Sequence, residues 1–359
     1  MSDHAHSAQA CEATPSAALS AGTDFSVILA TRDRPGLFAE ALASVLAQEQ
    51  AVFEVIVVND GSTAANMAEY EEVWAEASRR LGRRFQIHTL VHRPRGHGQS
   101  YSINFGVALA KGKYVCFLDD DDRWTDPLHL QRATAAIDAR VQRGAVVDLF
   151  MGNQDAWSAD GKRVGTLWLG DLERQLSVGG EVPDSTGCYA VDVEALTKCS
   201  GFCHLNCLIV RRALFEQVGG MDEGIRWECD RDIYLKLIEA GSLKLHHPIV
   251  MAYHRVPDPK KANNMTTMLG MVEKRLLQTV VMDRALARSR NRWIRKHARE
   301  HKAYALKKIA VEFANAGNWT DASHYAGQAL GAAPGLKWFS YTLLCHIRRT
   351  FGRHSDPST

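Results

Sequence analysis

No stretch of about eighteen or more uncharged apolar residues occurs in this chain, so a spanning helix of ordinary length is not expected. The first 23 residues are rich in Ala and Ser but have neither a basic n-region nor a sustained apolar core. They read as a disordered leader rather than a secretory signal, and a cytoplasmic location follows. Neither charge sign dominates: 43 Lys and Arg stand against 41 Asp and Glu, a formal +2, so nothing global calls for a nucleic-acid partner. Eight cysteines are scattered without a secretion signal, which favours reduced thiols over a disulfide framework. Gly96-His97-Gly98 lacks the Lys-Ser/Thr of a phosphate-binding P-loop and does not follow the first strand, so a nucleotide hydrolase or dinucleotide binder gains no support.

What the chain does have is length and alternation. Its 359 residues, 46 % of them apolar, suffice for one large α/β domain and a smaller one. Phe25 to Ala30 is a β-rich run ending at Thr31, followed by Arg32, Asp33, Arg34 and Pro35 and a helical pattern from Leu37 to Gln48. Phe53 to Val58 repeats the strand and ends in the turn Asn59-Asp60-Gly61-Ser62 before a helix over Met67 to Leu81. A third strand over Phe85 to Val91, a loop to Gln99, a helix over Ser102 to Ala110 and a fourth strand over Tyr114 to Leu118 complete the series. This alternation predicts a mainly parallel sheet with right-handed crossovers and flanking helices.

The fourth strand delivers four consecutive carboxylates, Asp119 to Asp122, ahead of Trp124. Hard divalent cations take such oxygen ligands, and strand C-terminal ends form the crevice where open α/β sheets bind ligands. A solvated acidic turn is the plain alternative, but the apolar strand on one side and Trp124 on the other argue against a free loop. Asp60 lies on the same predicted rim, a convergence suited to a nucleotide.

Beyond a helix near Leu128 to Arg143, strands are expected at Val146 to Met151, Cys207 to Val210 and Pro248 to Tyr253. The long connection from Ser158 to Gly187 either shapes a pocket or runs over the surface. Asp230 and Asp232 open a helix over Ile233 to Ala240, stopped by Gly241, where acids also serve as caps. Cys199, Cys203 and Cys207 with His204 offer a zinc alternative, but spacings of three fit ordinary strand or helix positions. Pro257 and Pro259 mark a boundary. A basic run from Arg284 to Lys302 follows, the pattern of a solvated helix face. Ala310 to Pro334 resembles one tetratricopeptide helix pair, which must dock on a neighbour to bury its apolar face. Lys337 to Arg353 interleaves Trp338, Phe339, Leu343, Leu344, Ile347 and Phe351 with basic residues. Such a helix packs on the preceding unit, the preferred reading, or lies in a membrane interface.

Four motifs in order, SVILATRDRP, EVIVVNDGS, INFGVALAKGKYVCFLDDDD and GGMDEGIRWECDRDIYLKL, resemble the family 2 glycosyltransferases with a GT-A fold over residues 24–258. The resemblance implies a Rossmann-like nucleotide-binding half at 24–130 and an acceptor half at 131–258. A helical, tetratricopeptide-like region at 259–336 and a basic amphipathic segment and tail at 337–359 complete the domain plan. Its activity would be inverting transfer of a sugar from a nucleotide diphosphate, UDP in the first instance, to a glycan or lipid-linked acceptor. Cell-surface polysaccharide synthesis is the implied setting, Mn²⁺ or Mg²⁺ the implied cofactor, and peripheral membrane contact and oligomer formation are compatible with it.

Carried over by position, Thr31 and Arg32 line the nucleotide pocket, Asp60 meets the base or ribose, and Asn104 stands in the helix before the metal strand. Asp121 is the first metal ligand, with Asp119 and Asp120 serving ribose or supporting the ion, Asp119 also among the ligands. His254 is either a third ligand or a structural histidine. Asp230 matches the catalytic base and Asp232 its partner. Departures from the family pattern are Ala30-Thr31-Arg32-Asp33 in place of Pro-Thr-Tyr-Asn, Ile103 where a basic residue is usual, so that Arg93 or Arg95 must supply the charge, and Cys229 in place of an acid beside Glu228. The alternative from another class is a GT-A scaffold without chemistry that recruits partners.

Overall fold

The computed structural model describes residues 25–351 except 167, 259 and 261–264. The expected leader, the Pro259 boundary and the end of the tail after Phe351 lie outside these residues. In chain order the first elements are β1 (Phe25–Thr31), α1 (Pro35–Leu46), β2 (Phe53–Asn59), α2 (Ala64–Leu81), β3 (Phe85–Thr89), α3 (Gln99–Leu109), β4 (Tyr114–Asp119), β5 (Arg123–Trp124) and α4 (His129–Val141). Next come β6 (Val147–Trp157), β7 (Arg163–Thr166), α5 (Leu172–Val178), β8 (Tyr189–Val191), α6 (Val193–Lys198), β9 (Leu208–Arg211), α7 (Arg212–Gln217), α8 (Cys229–Ala240) and β10 (Leu243–Arg255). Helices α9 (Met265–Met268), α10 (Met271–Arg288), α11 (Arg292–Asn315), α12 (Trp319–Ala332) and α13 (Leu336–Phe351) close the chain.

All strands among the described residues join one ten-stranded sheet whose main order is β3-β2-β1-β4-β9-β6-β10-β5. The first four run parallel, as the βα alternation predicts; β1, β2 and β4 are almost wholly buried, while the edge strand β3 alternates apolar and polar residues. Past β4 the sheet becomes mixed. Strand β9 lies antiparallel to both β4 and β6, while β10 returns parallel to β6 and takes β5 and β8 antiparallel. This reversal sets the site: the N-terminal end of β9 must lie beside the C-terminal end of β4.

Strand β3 stops at Thr89 rather than Val91, and β6 and β10 are far longer than their apolar cores suggest. Partner strands extend them through polar residues such as Asn153 and Gln154, which are buried. The 158–187 connection is partly ordered as β7 and α5.

Two polar clamps hold α8 and the turn before it, one to α3 and one to α10. The Asn104 amide on α3 donates to Met221 O and Glu223 Oε1, both at 2.9 Å, and its carbonyl accepts from Met221 N at 2.9 Å. On the far side, fully buried Asp232 pairs with Arg288 of α10 at 2.6 Å and Lys236 at 3.2 Å. Val281, Met282 and Ala285 of α10 and Ile294 and Ala298 of α11 join the main apolar core. Further along, α11 and α12 form the expected helix pair, turning at Gly317 in the left-handed region (φ 74°). Ala310, Ala322 and Ala326 meet there without exposure, and Phe313 stacks on Tyr325 at 5.6 Å.

Helix α13 docks through Trp338, Tyr341 and buried Cys345. It thus packs on the preceding unit, as preferred, while its Phe339, Leu343, Leu344, Ile347 and Phe351 stay exposed. Among the described residues no helix is long and apolar enough to cross a membrane.

Removing the Asn104 amide leaves the Met221 N–H and O without those bonds, at about 1–3 kcal/mol for a buried group left unpaired. Asn104→Ala is therefore expected to lower unfolding free energy by that amount in urea titration; a change within about 0.5 kcal/mol, the usual range for surface substitutions, would remove the clamp.

Candidate active site

The site lies on the rim where β1, β2 and β4 end together: Ala30 is in register with Asp119 and Thr31 with Asn59. Four carboxylates follow one another here, and they are compensated by several distant elements, with Arg34 serving two of them. Asp120, 1 % exposed, accepts from Thr31 Oγ1 at 2.7 Å and pairs with Arg34. The Tyr70 hydroxyl, which accepts from Arg34 N at 2.9 Å, lies 2.7 Å from Thr31 Oγ1. Because Thr31 gives its proton to Asp120, Tyr70 must donate to Thr31. Asp121 takes the other arm of the Arg34 guanidinium at 2.8 Å. Such a forked arginine offsets two charges at once.

Asp122 is the best satisfied of the four. It accepts from Asn206 Nδ2 at 2.6 Å, His254 Nδ1 at 2.8 Å and Arg255 N at 2.7 Å. Burial alone would raise its pKa, but the His254 hydrogen bond and charge hold it below the usual carboxylate value. Burial pushes Asp120 up to about 6 against the pull of Arg34, and raises Asp119 and Asp121 with help from neighbouring carboxylates. His254 is raised, because Asp122 outweighs its burial.

Asp119, at the strand tip, receives Gln99 Nε2 at 2.7 Å and faces His204 Nε2 at 3.9 Å. The same imidazole nitrogen lies 3.8 Å from Asp230 Oδ2. Asp230 opens α8, is partly exposed to the cleft (22 %), and has its pKa raised by burial despite the nearby His204. One imidazole therefore links the carboxylate run to the expected base. Trp168, in the 158–187 connection, packs edge-on to both His204 and His254 with centroids 5.6 and 4.9 Å away. That connection walls the site rather than wandering over the surface.

A divalent ion fits one group here. Ligand atoms of Asp119, Asp122 and His204 lie within 4.8 Å of one another, and two carboxylates with an imidazole form a donor set for a borderline-hard cation such as Mn²⁺. Asp121, expected as the first ligand, faces Arg34 instead, and His254 stands behind Asp122 as its hydrogen-bond donor. His204 entered the sequence reading only as part of a cysteine cluster; Cys199, Cys203 and Cys207 are buried thiols with raised pKa values. Its position before β9 carries it to the rim only through the antiparallel reversal.

The other expected residues divide. Asp60, at the tip of β2, accepts from His97 N at 2.8 Å, His97 Nδ1 at 2.7 Å and Gly98 N at 2.9 Å, so it holds the 93–98 loop. Arg32 donates to Arg93 O at 2.6 Å and secures the same loop. Gly96 fits there because a Cβ would strike Arg32 and Asp60. Arg93 and Arg95 are exposed. Asn104 belongs to the clamp on Met221 and not to this rim. Asp232 is not brought into the cleft: two residues along a helix is more than half a turn, which sends it to Arg288 on the opposite side. Cys229 stays a thiol, its pKa pushed up to about 12 by burial, and Glu228 is engaged by Arg231 and Gln278.

Residues 26–199 match the model of glycosyl transferase family 2. This domain belongs to that family. Its relatives include an uncharacterized glycosyltransferase of Nostoc sp., 34 % identical over 30 % of this chain and 30 % of that protein. The succinoglycan biosynthesis protein ExoW of Rhizobium meliloti is 29 % identical over 51 % of this chain and 53 % of its own length. The chain thus spans about half or less of the length of these curated relatives. Among solved structures, Staphylococcus aureus TarS 1-349 in complex with UDP-GlcNAc superposes with a TM-score of 0.57 at 16 % identity, covering 91 % of this chain and 88 % of that one. A mannosyltransferase from Pyrobaculum calidifontis in complex with GDP-Man and Mn²⁺ gives 0.53 at 16 % identity, covering 92 % and 88 %. At such identities the likeness is one of fold. The fold is therefore a GT-A-like mixed sheet with flanking helices, followed by an all-helical region.

The two acids that open α8 are expected to separate in experiment. Asp232→Asn strands Arg288 and should cost about 2–3 kcal/mol of unfolding free energy, below the ~3–5 kcal/mol of fully buried pairs because Arg288 is partly exposed. Because burial raises the Asp230 pKa, this carboxyl costs stability progressively as pH rises above the ordinary carboxylate value and fully once pH exceeds the raised one, so Asp230→Asn should be neutral or stabilising at pH 7. Equal losses for both variants in denaturant titrations would contradict these positions.

Proposed function

We propose that the protein is an inverting, metal-dependent glycosyltransferase of the hexosyltransferase type. It moves a sugar from a nucleotide diphosphate donor, UDP in the first instance, to a glycan or lipid-linked acceptor in cell-surface polysaccharide synthesis. The observation that carries the reading is the His204 imidazole, 3.9 Å from Asp119 and 3.8 Å from Asp230, which places a cation-binding acid and a candidate base in one cleft. A scaffold without chemistry has no use for that pairing.

In this reading Thr31, Asp60, Asp119 and Asp120 border the donor, while Arg32 shapes the loop against it. Asp119, Asp122 and His204 would hold the divalent ion, with Asp121 and His254 supporting them. When bound, the ion supplies positive charge to the departing diphosphate. Asp230 takes the proton of the acceptor hydroxyl as that oxygen attacks the anomeric carbon. The bond from that carbon to the diphosphate oxygen breaks with its electron pair leaving on the diphosphate. A base with raised affinity for protons is suited to this task near neutral pH.

Residues 24–258 form the transferase unit in this reading, and the helices beyond it a docking region. A cytoplasmic enzyme reaching a lipid-linked acceptor suits α13, whose exposed Phe339, Leu343 and Ile347 lie on the same helix as Arg348 and Arg349, the composition of a helix that rests on an anionic membrane face.

The test is isothermal titration of UDP with and without Mn²⁺. Wild type should bind UDP in a Mn²⁺-dependent manner, Asp119→Asn should lose that dependence, and Asp121→Asn should keep it. Absence of UDP binding under every condition would refute the UDP donor. With UDP-sugars, Asp230→Asn should reduce kcat by about 10²–10⁴-fold while donor affinity stays unchanged. The wild-type kcat/KM should fall on acidification through a limb above the ordinary carboxylate range, because burial raises Asp230.

A further inference from the structure

Behind the base lies a second concavity of about 620 Å³, between the start of α8, the end of α6, α10 and α11. Only Thr197, Lys198 and Cys199 of its lining belong to the matched family segment; the rest comes from Ser200, α8 and the C-terminal helices. Arg231 and Glu228 form one wall, Arg275 and Gln278 a second, and Lys296 and His297 a third. The cationic side chains are Lys198, Arg231, Arg275 and Lys296, and the carboxylates are Glu228 and Glu300. Burial holds His297 and His301 down to about 4 and about 3, so both are neutral at physiological pH. The lining is therefore net positive.

Two of its arginines are also incompletely used. Arg231 gives Nε to Glu228 and lays its guanidinium 4.4 Å from the Phe202 ring centroid, yet its buried Nη1 has no hydrogen-bond partner among the described residues. Arg275 gives Nη1 to Gln278 at 2.6 Å, and its buried Nε is likewise without one. Glu228 offers no relief, since Arg231 and Gln278 already occupy it. A buried charged donor without an acceptor is unfavourable, and with both arginines among the lining of one net-positive cavity the arrangement calls for an anion.

Position identifies whose anion it is. Successive side chains on a helix point about 100° apart. Asp230 thus faces the cleft while Arg231, the next residue, faces the cavity, with only the first turn of α8 between them. We propose that this cavity holds an anionic substituent, carboxylate or phosphate, of the acceptor glycan, so that a neighbouring hydroxyl is presented to Asp230. The inference rests on the transferase reading and adds the acceptor's chemical class. The C-terminal helices then form part of the acceptor site and are more than a docking region.

The experiment is calorimetric titration of the whole chain with three oligosaccharides of equal length: an oligogalacturonate, a phosphorylated oligomannose and a neutral maltooligosaccharide. Inorganic phosphate is a fourth ligand. At least one anionic oligosaccharide should bind, the neutral one at least tenfold more weakly. Arg231→Gln with Arg275→Gln should weaken anionic binding at least tenfold, while UDP binding with Mn²⁺ stays at the wild-type value. The single Arg231→Lys variant, which keeps the charge, should lose less. Binding of neither anionic oligosaccharide, equal binding of neutral and anionic chains, or wild-type affinity in the double variant would overturn the proposal. Inorganic phosphate binding as tightly as the oligosaccharides would also overturn it, in favour of a small-anion site. Loss of UDP binding by the wild type would instead strike the transferase reading, so the two failures remain distinct.

Discussion

The structure is organised around one electrostatic constraint: four consecutive carboxylates at the tip of a buried strand must be compensated without bulk water. Like charges in a poorly solvated place raise each other's proton affinity, and the fold answers with partners from distant segments. Arg34 from the first loop, Thr31 and Tyr70 from the first two βα units, Asn206 before β9, and His254 with Arg255 from β10 all meet the run. Each contact fixes the end of a strand or helix, so the rim gains its shape from the neutralisation of these acids. The same arrangement leaves Asp119 and His204 facing the cleft, with coordinating capacity not spent on the scaffold.

Much of this was legible in the sequence, because the signals were local. Alternating apolar strands and helical periods gave the parallel half of the sheet, and acids placed directly after strands gave the rim and Asp60. The helix start at Cys229 placed Asp230 where a base can stand. What escaped detection depended on topology. His204 and Asn206 precede a short antiparallel strand whose pairing with β4 no local pattern encodes, so their arrival beside Asp119 was invisible. The family resemblance makes Asp232 the partner of Asp230, although helical periodicity sends the two to opposite sides. The choice between Asp121 and Asp122 as the inner carboxylate turns on which one Arg34 reaches, and that depends on how the first loop folds back.

The C-terminal helices are joined to this frame by charge as well as by apolar packing. Arg284 pairs with Asp222 in the turn before α8, Arg288 with Asp232 on α8, and Ser289 donates to Glu239 at 2.8 Å. Basic residues that read as a solvated face are in part anchors for α8. The helix carrying the candidate base is thus held between the sheet and α10, which restricts the motion of Asp230 relative to Asp119.

The Asp60 carboxylate has a consequence for the order of events. It is already committed to two backbone amides and an imidazole of the 93–98 loop, and Arg32 grips the same loop from the other side. A ligand that claims Asp60 must share or displace those donors, so its occupancy is thermodynamically linked to the loop's position. The observed affinity is then the intrinsic affinity reduced by the fraction of molecules in which the loop has yielded. Stiffening or loosening the glycines of that loop would retune binding without altering a single atom that touches the ligand.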